Sequence, residues 1–189
     1  MPDHDRLLTL LAERSARRGH FTLASGRQST LYIDARLTTM SPDGLALIGP
    51  LALHEIVASK WRVDAIGGLT LGADPVSYAI AYASARSEKP LRAFTVRKEP
   101  KGHGTGQLIE GPFRHGDRVA VIEDVITTGN SALRAVHAVR TAGGVVAGVL
   151  ALVDREEGGR EALEGAGLPV LALALASDIL ARLPVVDSN

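Results

Sequence analysis

The stretch VVAGVLALV, Val145 to Val153, carries no polar side chain in nine residues. It does not alternate as a strand with one wet face would, so both of its faces must be buried. VAVI (119–122) and VLALAL (170–175) read the same way, as do the shorter runs VDAIGG (63–68) and LRAFTV (91–96). Strands buried on both sides belong to a parallel sheet with helices packed on each face. Helical patterns fill the gaps between them. Ser41 is placed as an N-cap with Pro42 at the first helical position, opening a helix to about Lys60 that Pro50 should kink or shorten. Asp74–Ser84 is alanine-rich, Asn130–Ala142 is stopped by Gly143-Gly144, and Glu156–Glu164 is a short helix. Ser177 is expected to cap a last short helix. The expected architecture over residues 41–189 is therefore an α/β core with a central parallel sheet.

The first 40 residues break this alternation. Leu7, Leu8, Leu10 and Leu11 among charges predict an amphipathic helix over 3–18, and FTLASGRQSTLYID (21–34) predicts two short strands around a Ser25-Gly26-Arg27 turn. Residues 97–117 hold five glycines and two prolines without periodicity, so they are expected to form a long loop.

A length of 189 residues suits one domain, and a hydrophobic fraction of 46% can fill a core, which excludes a disordered chain. Basic and acidic residues balance at 21 each, against the basic excess expected of a nucleic-acid or membrane-surface binder. Cysteine is absent, which removes a disulfide framework, a thiolate nucleophile and a cysteine zinc site. Charges interleave with the leucines of the N-terminus, unlike a signal peptide, and no apolar run approaches the ~20 residues of a membrane span. The expected location is cytoplasmic.

The chemistry concentrates in VAVIEDVITTGNSALRAV, Val119 to Val136. Ligands of open α/β sheets bind at the carboxyl ends of strands. A strand expected over Val119–Glu123 delivers Glu123 and Asp124 there, followed by Thr127, Thr128, Gly129, Asn130 and Ser131 at the start of a helix. Free N–H groups and the dipole of a helix N-terminus bind anions; the hydroxyls add donors and Gly129 lets the backbone curl. Two carboxylates beside such a cradle would repel a bare phosphate. They suit a ligand that carries a sugar diol next to its phosphate, or one that brings a divalent cation. The plainer reading is a strand–turn–helix junction with Asn130 as N-cap. No GxxxxGK[ST] loop occurs, and Gly102, Gly104 and Gly106 do not match GxGxxG.

VAVIEDVITTGNS resembles the phosphoribosyl-pyrophosphate (PRPP) motif of the type I phosphoribosyltransferases. The resemblance implies ribose hydroxyls on Glu123 and Asp124, and the 5′-phosphate in the loop that runs through Val125, Ile126, Thr127, Thr128, Gly129, Asn130 and Ser131. RKEPKGHG, Arg97 to Gly104, holds two of the chain's four lysines. By charge alone it is a solvated loop or one that closes over an anionic leaving group. It resembles the catalytic loop of the orotate phosphoribosyltransferases at Arg97, Lys98, Lys101, His103 and Gly104. Three other segments are similar to that family: FTLASGRQSTLYID to its base-covering N-terminal segment, IGGLTLGADPV (66–76) to its second phosphate turn, and Asp154-Arg155 to its orotate-binding arginine.

The resemblance implies a type I phosphoribosyltransferase fold with a hood over 1–40 covering the base and a core over 41–189. It implies transfer of phosphoribose from PRPP to orotate, with Mg²⁺ carried by PRPP and no direct protein ligand for it. It also implies a homodimer with shared active sites, with no nucleic acid and no membrane as partners. Arg97, Lys98 and Lys101 would stabilise the leaving pyrophosphate, His103 would donate to it, and Thr127 and Arg155 would meet the orotate edge. The chain departs from some relatives at Ala24 and at Leu71-Gly72, where side-chain contacts to PRPP do not carry over. A purine or uracil enzyme would share Glu123–Ser131 but not the Arg97–His103 loop. A PRPP-sensing regulator would add a basic DNA-binding segment, which the first 40 residues do not supply.

Overall fold

The computed structural model describes residues 2–22, 28–99 and 107–184. Helix α1 (Pro2–Leu10) continues into a π-helical turn at Leu11–Ser15, and the chain then turns directly into strand β1 (Ala16–Thr22). The helix expected over 3–18 thus ends early. β1 pairs antiparallel with β2 (Gln28–Ile33) in the register Ala16↔Ile33, a non-local pairing that overrides the local helical pattern around Arg17 and Arg18. This two-stranded ribbon lies within residues 1–40, the segment expected to form a hood. A short helix, α2 (Arg36–Thr39), links it to the core.

Ser41 caps α3 (Pro42–Ala58) by accepting from Gly44 N at 3.2 Å, as expected. The helix runs through Pro50 over 17 residues rather than ending there. Leu47, Ile48, Ala52 and Ile56 bury one face, which holds it straight enough to continue, while Pro50 lies on the exposed side. The core strands are β3 (Ala65–Leu69), β4 (Arg92–Val96), β5 (Ile109–Glu110), β6 (Arg118–Ile126), β7 (Val145–Asp154) and β8 (Val170–Leu175). They form one sheet in the order β5-β4-β3-β6-β7-β8, parallel except for β5. The doubly covered parallel sheet is the expected one. The loop expected over 97–117 contains β5, which closes the edge of β4.

The sheet divides two cores. On one face Ile66, Ala120, Ile122, Leu150 and Leu152 meet α1, α3, α4 (Ala73–Ser84) and the short C-terminal helix α7 (Ala176–Leu180). On the other, Ala65, Val119, Val121, Val149 and Ala151 meet α5 (Asn130–Thr141) and α6 (Gly159–Gly165). Adjacent residues of one strand feed opposite cores, which explains why the strands read as unbroken apolar runs. Gly129, with φ +80°, occupies the N-cap of α5, so Asn130 is its first residue and not its cap. Ser177 caps nothing: its N–H donates to Glu156 Oε2 at 2.7 Å, and α7 begins one residue earlier. Among the described residues no helix is long and apolar enough to cross a membrane.

Candidate active site

β3 is central. Its neighbours are β4, reached through α4 on one face, and β6, which is followed by α5 on the other. The crossovers diverge at this boundary, and a crevice opens at the carboxyl ends of β3 and β6. β6 does not stop at Glu123 as expected. It stays paired with β7 as far as Ile126↔Asp154, so the acidic pair lies inside the strand and is held by its ladder.

Glu123 is 7% exposed, and its Oε2 has no hydrogen-bond partner. Burial first, then the charge of Asp124 and a hydrogen bond between the two carboxyls, push its pKa up to about 9. At neutral pH Glu123 therefore keeps its proton. Asp124 Oδ1 accepts from the N–H of Val125 at 2.9 Å. Its carboxylate fills the space a side chain at Gly72 would need, so the turn after β3 and the acidic pair are in direct contact. Beyond the pair, residues 125–131 line a concavity of about 30 Å³ at the N-terminus of α5. Gly159 packs against this loop, where a Cβ would come within 2.5 Å of Thr127 O and 2.9 Å of Gly129 N. Of the nine residues expected to form a phosphate and sugar site, Glu123 and 125–131 line this concavity, while Asp124 lies against the turn at Gly72.

The turn Thr70–Gly72 is braced from below. Thr70 Oγ1 donates to Asp74 Oδ2 at 2.7 Å, Thr95 Oγ1 donates to Asp74 Oδ1 at 2.8 Å, and Thr70 N donates to Val96 O at 2.8 Å. Thr70 and Thr95 share a concavity of about 460 Å³ with Arg97 and Lys98. Arg97 is tied to the edge strand through its N–H on Leu108 O at 2.8 Å and its guanidinium 3.6 Å from Glu110. Lys98 is exposed, and its carbonyl accepts from Arg134 Nη2 at 2.9 Å. The structure therefore sets Arg97 and Lys98 beside the turn Thr70–Gly72. Lys101, His103 and Gly104, and the hood residue Ala24, lie outside the described residues.

Arg155 follows β7 and is 8% exposed. Its N–H donates to Ile126 O at 2.9 Å, which ties it to the end of β6. Its Nη2 donates to Ser29 Oγ at 3.1 Å and to Leu31 O at 2.9 Å, both in β2, and to Glu157 Oε1 at 2.7 Å. Its Nε is buried without a partner. The arginine expected to meet a base carboxylate thus also fastens the hood. Across the β1–β2 ribbon Phe21 and Tyr32 pack with ring centroids 5.4 Å apart.

Several contributors were not legible beforehand. Arg36, bidentate on Asp34 at 2.8 and 2.9 Å, has its cationic form favoured first by Asp34 and in part by Asp124, so it lies in the field of the acidic pair. Asp74 and Glu157 touch functional segments only through folding. A signal for Glu157 existed in its spacing, two residues after Arg155 and immediately before a glycine. Among the described residues no group of three or more His, Asp and Glu side chains could hold a metal ion.

No protein-family model matches the chain. It is 49% identical over 183 residues to the orotate phosphoribosyltransferase of Aquifex aeolicus, covering 95% of this chain and 99% of that protein. The crystal structure of the Mycobacterium tuberculosis orotate phosphoribosyltransferase in complex with PRPP superposes with a TM-score of 0.78 at 43% identity, covering 94% of this chain and 99% of that one. The enzyme from Aeropyrum pernix is 36% identical with a TM-score of 0.77, covering 93% and 97%. With identity this high along nearly the whole chain, and with the crevice, the acidic pair and the hood in place, the chain belongs to the orotate phosphoribosyltransferase family.

Proposed function

We propose that this chain transfers the 5-phosphoribosyl group of PRPP to orotate, giving orotidine 5′-monophosphate and pyrophosphate in the de novo synthesis of UMP. The observation that carries the reading is a pair of buried polar atoms without partners among the described residues, Glu123 Oε2 within β6 before the loop and Arg155 Nε just after the adjacent β7. Buried polar groups are nearly always satisfied, so each calls for a ligand atom. A ribose hydroxyl answers the first. The carboxylate of orotate answers the second, as the acceptor of a charge-assisted hydrogen bond from Nε–H.

In this reading orotate reacts as an anion. Its ring nitrogen forms the bond to C1′ as the C1′–O bond breaks and pyrophosphate leaves with the electron pair. The protonated Glu123 presents one charge rather than two to the substrate. That removes the repulsion an ionised pair would exert on the neighbouring 5′-phosphate, while Asp124 favours positive charge developing on the ring. Arg97 and Lys98, with Lys101 from the loop, stabilise the departing charge, and His103 donates a proton or hydrogen bond to it. Thr127 meets the orotate edge in this reading. In this reading Mg²⁺ arrives on PRPP and is held by its phosphate and hydroxyl oxygens. Bound on the pyrophosphate, the ion would neutralise part of its charge.

The reading includes a cytoplasmic enzyme and a homodimer whose loop lysine serves the partner's site. An apolar groove of about 580 Å³ between α3 and α4, with Tyr78 and Tyr82 exposed to 53% and 87%, supports a second copy as its occupant. The deciding experiment offers PRPP with orotate, uracil, hypoxanthine and adenine in parallel, with and without EDTA. Orotate alone should be consumed, and EDTA should stop the reaction; comparable turnover of another base would overturn the assignment.

A further inference from the structure

The turn after β7 is built to return on itself. Glu156 has φ +57°, a conformation uncommon for a side chain with a Cβ, and Gly158 has φ +92°. Glu156 is held there at both ends. Its N–H donates to Asp154 Oδ1 at 2.9 Å, and its Oε2 accepts from Ser177 N at 2.7 Å. Asp154 is in turn fixed by Arg160 Nε at 2.7 Å. Backbone strain of this kind persists only where its surroundings over-determine it, and it marks places where a geometry matters. The geometry obtained here is the return of Glu157 onto the side chain of Arg155, where the pair is 18% and 6% exposed.

We propose that Glu157 is a positioning residue that sets the affinity of the site for the orotate base, a role that rests on the transfer reaction proposed above. Nη2 of Arg155 has two hydrogens, and Ser29 Oγ, Leu31 O and Glu157 Oε1 already compete for them. That nitrogen is committed to the protein. Nε remains buried and unpaired, so the substrate meets a guanidinium whose plane is fixed before it arrives. An arginine side chain otherwise loses much rotamer freedom on binding, and pre-ordering it raises affinity. Glu157 also supplies the counter-charge that a nearly buried guanidinium needs when no substrate is present. Its own charge opposes that of the base. The carboxylate is itself held by a hydrogen bond from Nη2 and leaves Nε–H unused, so lost order outweighs relieved repulsion when it is removed.

An interaction made equally with ground and transition states changes KM and leaves kcat little altered, which separates this role from general support of the fold. Steady-state kinetics with both substrates varied, on wild type, Glu157→Ala and Glu157→Gln, tests it. KM for orotate should rise about tenfold in Glu157→Ala and by roughly threefold in Glu157→Gln, which keeps an acceptor but no charge. KM for PRPP should stay within about twofold. An orotate KM that is unchanged or lower, or equal rises in both KM values, overturns the proposal. If the alanine variant does not fold, the nearly isosteric glutamine variant decides alone: an unchanged orotate KM overturns it. A wild-type protein that fails to use orotate sinks the transfer reaction itself, whereas active wild type with no split between the KM values sinks only the role of Glu157.

Discussion

Glu123 illustrates how burial changes what a side chain can do. Its folded pKa is raised to about 9, while in the unfolded chain it titrates near its ordinary 4.5. Below the unfolded value both states hold the proton, and its contribution to stability is fully present. As pH rises toward 9 the unfolded state sheds the proton and the folded state keeps it, so that contribution is lost progressively. Glu123→Gln replaces the neutral acid with an amide that can still donate to Asp124. Its stability should fall less between pH 5 and pH 9 than that of wild type, and at pH 8 it should exceed wild type by about 1 kcal/mol or more. Denaturant melts at several pH values measure this directly; parallel pH profiles for the two proteins would mean that Glu123 is ionised in the folded state.

At the level of elements, the long return from β4 to β6 depends on one buried ion pair. Arg92 Nη1 and Nη2 donate to Asp117 at 2.9 and 2.6 Å, and Asp117 also accepts from Arg114 N at 2.8 Å. Asp117 is 6% exposed. Arg92→Ala would leave that carboxylate without its partner and should cost about 3 kcal/mol or more, read as a lower denaturation midpoint. Catalytic constants of the fraction that remains folded should stay close to wild type, because the pair lies at the amino end of the strands. Neither partner was legible from sequence, since 25 residues separate them and each reads as a surface charge. The ends of β6 and of the first helix escaped for related reasons. Acidic residues within Glu123–Ile126 suggest a strand end until the ladder with β7 is known, and Ala16–Arg18 looks helical until β2 lies beside it. What could be read early was whatever depends on local pattern: the doubly buried strands, the Ser41 cap, the Gly143-Gly144 stop, and a loop whose motif is contiguous.

For the whole molecule, the sharpest question is whether one chain completes its own site. Arg97 and Lys98 border their own Thr70, whereas the function proposed above assigns Lys101 to the neighbouring site of a dimer. Lys101→Ala and Asp124→Asn should each be nearly inactive as pure proteins. If Lys101 serves the partner, a mixed dimer has one site with both defects and one with neither. Random exchange makes about half the dimers mixed, so remixing should restore roughly a quarter of wild-type activity. If Lys101 serves its own subunit, every site keeps a defect, and nothing returns even when mass measurements confirm exchange.

The unpartnered oxygen of Glu123 has a consequence for which sugars the enzyme accepts. A pocket that merely has room for a hydroxyl tolerates its absence. A buried acid waiting for one does not, because a deoxy analogue leaves it stranded away from water. A PRPP analogue lacking the hydroxyl that meets Glu123 should be disfavoured in kcat/KM by about a hundredfold or more. In Glu123→Ala that preference should collapse as the natural substrate loses its advantage. The carboxyl would then guard the ribose or deoxyribose character of the nucleotide pool, a form of quality control exercised by an atom that bonds to nothing until substrate arrives.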